Sequence, residues 1–471
     1  MSSFLGNKQE SHTYTQVAAP ESLSSNESPQ SMKGNSRIVS IASSSGDQQA
    51  GGQILFQLSA MNASITRRTA FLKLRVQLAY TNTLPPYTST SASSWFAGPG
   101  PLVYAETLGG ATAATTLPLV GATTPIVIIP QLANAYSIIN RSTVFVSGVA
   151  ADQINLTNDV MNMLLAHSTN RDWLIGDGAN MLAVAQIGLP QATGTNTNLY
   201  WDVVLPLPHS MFNSERDFPL YLLGPSQPVS LQVDLAPVTR AFKLATSGVT
   251  TATNYTVTQA FLSFEAVDLD AAFVDSMRAR HKSSPFVLPQ LSYNVTQMPI
   301  SALANFTMGI NASSVRAAYI LPFSASSYSS DPTVAFAYNR ASPNDVAITA
   351  TAGNYTGTSF NVYLDGRQVS SLDLNNPAAT FAALKQALNG SITNHTSASI
   401  ASREAYKQCY YALGQDLCIF NDESCVMGGS PCSQISLVLT NNTSNTSFLA
   451  TVIISYDSIL LFQDGNCTVK R

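Results

Sequence analysis

Along most of this chain the apolar residues recur with a period of two, and that spacing constrains the fold more than any other feature. Leu72, Leu74, Val76, Leu78 and Tyr80 fall on one side of an extended segment, while Phe71, Lys73, Arg75 and Gln77 fall on the other. Successive side chains of a strand point to opposite faces, so the pattern predicts a long strand with one buried and one wetter face. Ile54, Phe56 and Leu58 make the same pattern upstream. Further strands are expected over residues 136–139, 142–149, 199–205, 218–223, 229–235 and 256–267. The segments between them are rich in Thr, Ala, Gly and Pro; residues 81–124 make a longer connection than a compact domain needs and read as a surface elaboration.

Helical spacing is scarce. Asn376 followed by Pro377, with Phe381, Leu384 and Leu388 on one face and Gly390 beyond, predicts a capped amphipathic helix. Residues 402–413 and 158–166 are two further candidates. The resulting class is all-β with a few short helices.

The chain also repeats itself. Phe56-x-Leu58 followed by Asn62, Ala63, Ser64 and Arg67 is matched by Phe306-x-Met308 followed by Asn311, Ala312, Ser313 and Arg316. Residues 226–231 (SQPVSL) are matched by 433–437 (SQISL), and residues 262–267 (LSFEAV) by 454–459 (ISYDSI). Three matches in one order predict two related β-sandwiches with unequal loops. A basic cluster, Arg278, Arg280, His281 and Lys282, precedes Ser283-Ser284-Pro285 and marks the boundary. The expected organisation is a mobile arm at 1–50, a first unit at 51–282 and a second at 283–471.

Composition excludes several classes. Hydrophobic residues make up 45% of the chain, enough for a sizeable core, and the net charge is only −4. Charged residues make up 11%, against about 25% in ordinary soluble proteins. The segment 1–50 carries Lys8, Lys33 and Arg37 against Glu10, Glu21, Glu27 and Asp47, so it has no block of cations with which to neutralise nucleic acid. Residues 1–11 do not read as a secretory signal. Without one, the fifteen Asn-x-Ser/Thr sites, Asn254 and Asn305 among them, are what an Asn- and Thr-rich chain produces.

No chemistry-bearing motif stands out. No lysine follows a glycine, so there is no phosphate loop, and Gly98-Pro99-Gly100 lies in a Pro-rich stretch and reads as a turn. The histidines, His12, His167, His209, His281 and His395, have no ligand spacing; a Ser-His-Asp triad is assembled in space, but no GxSxG elbow supports one. Asp268 and Asp270 read as solvated turn residues, and Asp422 and Glu423 beside Cys425 lack further oxygen ligands for a cation. Cys409, Cys418, Cys425, Cys432 and Cys467 contain no CxxC pair, which argues against zinc; one local disulfide stays open beside the reading of small buried hydrophobes. The basic cluster reads as a solvated hinge or an inter-subunit contact. No catalytic, cofactor-binding or metal-ligating residue is assigned, no cofactor is expected, and the chain does not read as an enzyme.

Here the sequence resembles a known family. Residues 52–56 (GQILF), the Arg67-Arg68 turn into 71–75 (FLKLR), the segment 217–223 (DFPLYLL) before 229–235, and the strand at 454–456 (ISY) are similar to the double jelly-roll major capsid proteins, in particular those of polinton-like viruses and virophages. The resemblance implies two tandem eight-stranded jelly rolls per chain and a homotrimeric, pseudo-hexameric capsomer that tiles the icosahedral shell of a DNA virus. It further implies neighbouring capsomers, penton and minor capsid or cement proteins as partners, an internal membrane in some members, and no sequence-specific nucleic acid. The chain would then reside in the virion, assembled inside the host cell. Two alternatives stay open on sequence: a single-jelly-roll coat protein with a protruding domain, which predicts no internal repeat, and a β-sandwich adhesin or glycan-binding protein, for which Trp95, Trp173 and Trp201 could stack on sugar.

Overall fold

A computed structural model describes residues 35–59, 61–82, 126–130, 135–168, 187–189, 194–213, 216–224, 227–244, 250–300, 303–324, 359–373, 376–388, 412–419, 427–440 and 448–471. In the first half, eight main strands follow one another: β1 (Asn35–Ala42), β2 (Gln53–Leu58), β3 (Phe71–Asn82), β4 (Ile139–Val146), β5 (Val149–Asn155), β6 (Gly194–Pro206), β7 (Val229–Leu235) and β8 (Thr250–Asp268). They pair antiparallel in two sheets, ordered β1-β8-β3-β6 and β2-β7-β4-β5. The chain repeatedly crosses from one sheet to the other, which is the winding of a jelly roll. Burial follows the period of two: in β7, Val229, Leu231, Val233 and Leu235 are buried and the residues between them are not.

The second half contains β9 (Phe286–Ile300), β10 (Leu303–Ser324), β11 (Ser359–Leu364), β12 (Arg367–Asp373), β13 (Leu413–Asp416), β14 (Ser430–Thr440), β15 (Phe448–Gln463) and β16 (Asn466–Lys470). Their order is β9-β15-β10-β14-β11-β12, with β13 on β10 and β16 on β15. β10 serves both sheets. Its leg at 303–309 pairs with β14, and its leg from 315 onward pairs with β15 and β13. Register shifts at Gly309/Ala312 and Ala312/Val315, with Asn311 at φ 50°, turn the corner between them. Asn tolerates this left-handed conformation better than most residues do.

Divided at that corner, β10 gives two four-strand orders, β9-β15-β10-β13 and β10-β14-β11-β12, which reproduce the order of the first half. The register repeats too. Leu231 pairs with Phe56 on one side and Val144 on the other; Leu437 pairs with Phe306 and Val362. The residues that match in sequence thus occupy equivalent rungs. A coat protein with one jelly roll and an unrelated protrusion does not have this arrangement.

Several expectations change. Part of the segment 1–50 is not an arm: β1 pairs along its whole length with β8, Asn35 opposite Asp268 and Ala42 opposite Phe261. Backbone bonds hold β1 at the sheet edge, with Arg37 Nε 2.6 Å from Asp268, so it needs few buried side chains. The expected strand at 142–149 is two strands joined by a turn in which Ser147 (φ 56°) and Gly148 (φ 76°) are left-handed. Residues 135–138 form a 3₁₀ turn, every residue of which is buried, so its apolar run carries no strand alternation. At 218–223, Phe218 bridges Ile65, but Pro219 has no N–H for a ladder and Leu220–Leu222 coil into a 3₁₀ turn. Leu413 opens a strand instead of closing a helix, and residues 402–411 lie outside the described set, as do 83–124.

Three longer helices are described. α1 (Thr157–Ser168) and α3 (Pro377–Ala387) lie at the expected places; Asn376 Oδ1 accepts from the amides of Ala378 and Ala379 as the cap of α3. α2 (Ala271–Ser283) links the two jelly rolls. Asp270 caps its start by accepting from Ala272 N, and Arg280 and Lys282 of the basic cluster stand in its last turn, where cations meet the negative end of the helix dipole. The halves are not independent beads. Phe462 of β15 packs edge-on against Phe218 at 5.6 Å, and the buried apolar residues of both halves form one cluster.

Candidate functional site: a buried serine, histidine and aspartate between the jelly rolls

The β4–β5 hairpin places Ser142 and Asp152 on facing strands, and the chain leaving β6 lays His209 between them. Ser142 Oγ is 2.6 Å from His209 Nε2, and His209 Nδ1 is 2.7 Å from Asp152 Oδ2. With the proton on Nδ1 donated to the carboxylate, Nε2 accepts from the serine hydroxyl and every polar atom of the imidazole is satisfied. This is the connectivity of a nucleophilic triad. It lacks access: His209 is fully buried and Ser142 is 2% exposed, so no substrate carbonyl can approach Oγ.

The chain of bonds lies within the first jelly roll, and the residues beside it reach the second. Immediately beyond His209, Ser210 Oγ donates to the carbonyl of Leu291 in β9 at 2.9 Å and accepts from the Leu291 amide at 2.7 Å. Beside Asp152, the Ala151 carbonyl accepts from Gln290 Nε2 at 2.9 Å. The hydroxyl of Tyr293, also in β9, is pushed above its ordinary range, first by burial and then by the nearby charge of Asp152. A different buried carboxylate does bridge the halves: Asp159 in α1 accepts from Thr451 of β15 at 2.6 Å and from Arg240 at 3.2 Å. These bonds, from Ser210, Ala151 and Asp159 of the first half to Leu291, Gln290 and Thr451 of the second, hold the two jelly rolls in one relative placement.

The other singled-out residues fall elsewhere. Asp268 pairs with Arg37 and Asp270 caps α2, so they are not an acid/base pair. Within α2, Arg278 Nε donates to the Tyr221 carbonyl at 2.7 Å. Among the described cysteines, Cys418, Cys432 and Cys467 are free thiols, and burial raises the pKa of each. His167 is buried in α1, and Trp201 falls in β6. His12, His395, Cys409, Asp422, Glu423, Cys425, Trp95, Trp173 and residues 98–100 lie outside the described set. Among the described residues no group of three His, Cys, Asp or Glu side chains is placed to hold a metal ion, and no helix is long and apolar enough to cross a membrane.

Among the described residues, β1 and β12 are end strands of their sheets, each paired on one side only. Ile38 in β1 is 80% exposed, and Val369 in β12 and Ile419 after β13 are exposed too. Bare edges of this kind are what an assembling chain covers with a neighbour.

Comparison with solved structures decides the fold. VP54 of PBCV-1, fitted into a reconstruction of the virophage Sputnik, superposes with a TM-score of 0.55 over 94% of this chain and 99% of its own, at 12% identity. The chain has the double jelly-roll fold of major capsid proteins. The Faustovirus major capsid protein gives 0.54 over 94% of this chain and 92% of its own at 10% identity. The Sputnik virophage structure gives 0.52 over 95% and 91% at 11%. No family model matches the chain, and no curated protein matches it in sequence. At these identities the double jelly-roll likeness is one of fold, and it spans both halves.

Proposed function

We propose that this chain is the structural major capsid protein of a DNA virus, assembling as a homotrimer whose six jelly rolls form a pseudo-hexagonal capsomer of an icosahedral shell. The observation that carries the reading is the repeated rung: Phe56 opposite Leu231 and Phe306 opposite Leu437 place two equivalent jelly rolls in one chain. Two like sandwiches per chain turn a threefold assembly into a near-sixfold tile, which is what a closed hexagonal lattice needs. The division lies at α2, with the first unit beginning at β1 and the second at β9. The exposed apolar edges and the 11% charged fraction support burial against neighbouring subunits, since obligate interfaces are depleted of Lys, Glu and Asp. Pentons, minor capsid or cement proteins and a lining membrane are the partners this role calls for, and the virion is where it acts.

Electron microscopy of the assembled protein tests the proposal. Hexagonal tiles or closed icosahedral shells are expected; a dispersed population of single subunits at concentrations that assemble other coat proteins contradicts it.

A further inference from the structure

Near the C-terminal end of α2 the two jelly rolls line a half-open pocket of about 210 Å³. Leu222 and Leu223 line it from the first half and Phe462 from the second. Gly224 and Gly465 meet there backbone to backbone, Gly224 N donating to the Gly465 carbonyl at 3.0 Å. The polar lining is mostly cationic: Arg278 and Lys282 from α2, against Asp464 from the turn between β15 and β16.

His281, also in the lining, is the informative residue. It is 6% exposed and stacks edge-on against Phe286 at 5.6 Å. Its Nδ1 lies 2.8 Å from the Ser284 carbonyl, an acceptor, so that nitrogen carries a proton and donates it. Its Nε2 is buried without a hydrogen-bond partner. A buried ring nitrogen left unpaired calls for a partner. The charged groups around it are Arg278 and Lys282 from α2 and Asp464 from the second jelly roll, while Leu222 and Leu223 bring no charge from the first.

We propose that this pocket binds a phosphate-class oxyanion, to which the protonated Nε2 of His281 donates while Arg278 and Lys282 supply the opposing charge. The lining offers one carboxylate against three groups that are donors when protonated, and its volume suits a compact tetrahedral group rather than an extended chain. Because the walls come from both jelly rolls and from the helix joining them, the bound anion stiffens the junction. The oxyanion is either free or the headgroup of a phospholipid.

Calorimetric titration of the full chain with inorganic phosphate, in two buffers of different ionisation enthalpy, tests this. One phosphate per chain with net proton uptake is expected. His281→Asn keeps an amide donor for the Ser284 carbonyl and removes Nε2; it should weaken binding by about tenfold or more and abolish the uptake, as loss of a charge-assisted hydrogen bond does. Lys282→Gln, at an exposed position, should weaken binding several-fold while leaving the chain folded with only a small change in thermal stability without phosphate, and it decides the matter if the His281 variant does not fold. Flotation with phosphatidic acid vesicles, set against phosphatidylcholine vesicles, separates the sources. Binding to the acidic vesicles alone, lost in Lys282→Gln, assigns the site to a headgroup. Phosphate binding without proton uptake, binding indifferent to both substitutions, or binding to neither phosphate nor acidic vesicles overturns the proposal.

Discussion

Leu231 stands directly opposite Phe56 across the β2–β7 pair, and both are buried. Leu437 stands opposite Phe306 on the corresponding rung of the second half, so the repeat visible in the sequence is a repeat of registers and not only of letters. A one-residue slip in either half would turn the whole buried face of a strand outward.

That rung sets the first prediction. Phe56→Ala removes a fully buried ring from the middle of the first sandwich and should cost about 3–5 kcal/mol, while Leu437→Ala in the second should cost about 2–5 kcal/mol. Urea denaturation of each variant measures both, and a loss under about 1 kcal/mol at either site would show that the rung is not core.

The edge strand β1 gives a second. Removing residues 1–34 should leave a soluble, folded chain, because the described sheet begins at Asn35. Removing residues 1–50 strips β1 and bares the β8 edge, so the shorter chain should aggregate or expose its core to hydrophobic dye. Equal yields and equal melting of the two truncations would contradict the placement of β1.

The buried Ser142, His209 and Asp152 chain is structural in this account. A fluorophosphonate reagent should fail to label Ser142 in the folded protein, and His209→Phe should destabilise by about 1–3 kcal/mol because Asp152 loses its donor. Labelling of Ser142 under native conditions would show that the site opens.

Alkaline stability follows from the buried acids. The Cys467 thiol is pushed by burial from its ordinary 9.0 to about 12, and the hydroxyls of Tyr136, Tyr255 and Tyr319 are pushed above their ordinary 10.0 for the same reason. These groups keep their protons in the folded state and release them sooner in the unfolded one. The unfolded chain therefore binds fewer protons, and the stability they contribute is full below pH 9 and is lost as pH rises from there toward 12. Denaturation midpoints should fall steadily over that window, and a flat profile would contradict the burial of these side chains.

How much of this was legible depended on whether the signal was local. The alternation of Val229, Leu231, Val233 and Leu235 is a property of neighbours, and the strand stands where it was expected. β1 was hidden because its pattern is nearly all exposed; what makes it a strand is the β8 edge 200-odd residues later, a partner no local window contains. α2 did carry local signals, Asp270 as cap and Arg280, His281 and Lys282 in the last turn, but its sparse apolar face, with Val274, Met277 and His281 buried, read as a hinge. The Ser142, Asp152 and His209 constellation left no trace in spacing, since a hairpin and the exit of β6 bring it together.

The central claim is assembly, and the mass of the purified full-length chain in solution tests it most directly. A trimer of about 150 kDa, built from the 50.1 kDa chain, or a larger shell made of such trimers, is the predicted result. A stable, monodisperse 50.1 kDa monomer over the full concentration range, with Ile38 and Val369 still facing water, would contradict it.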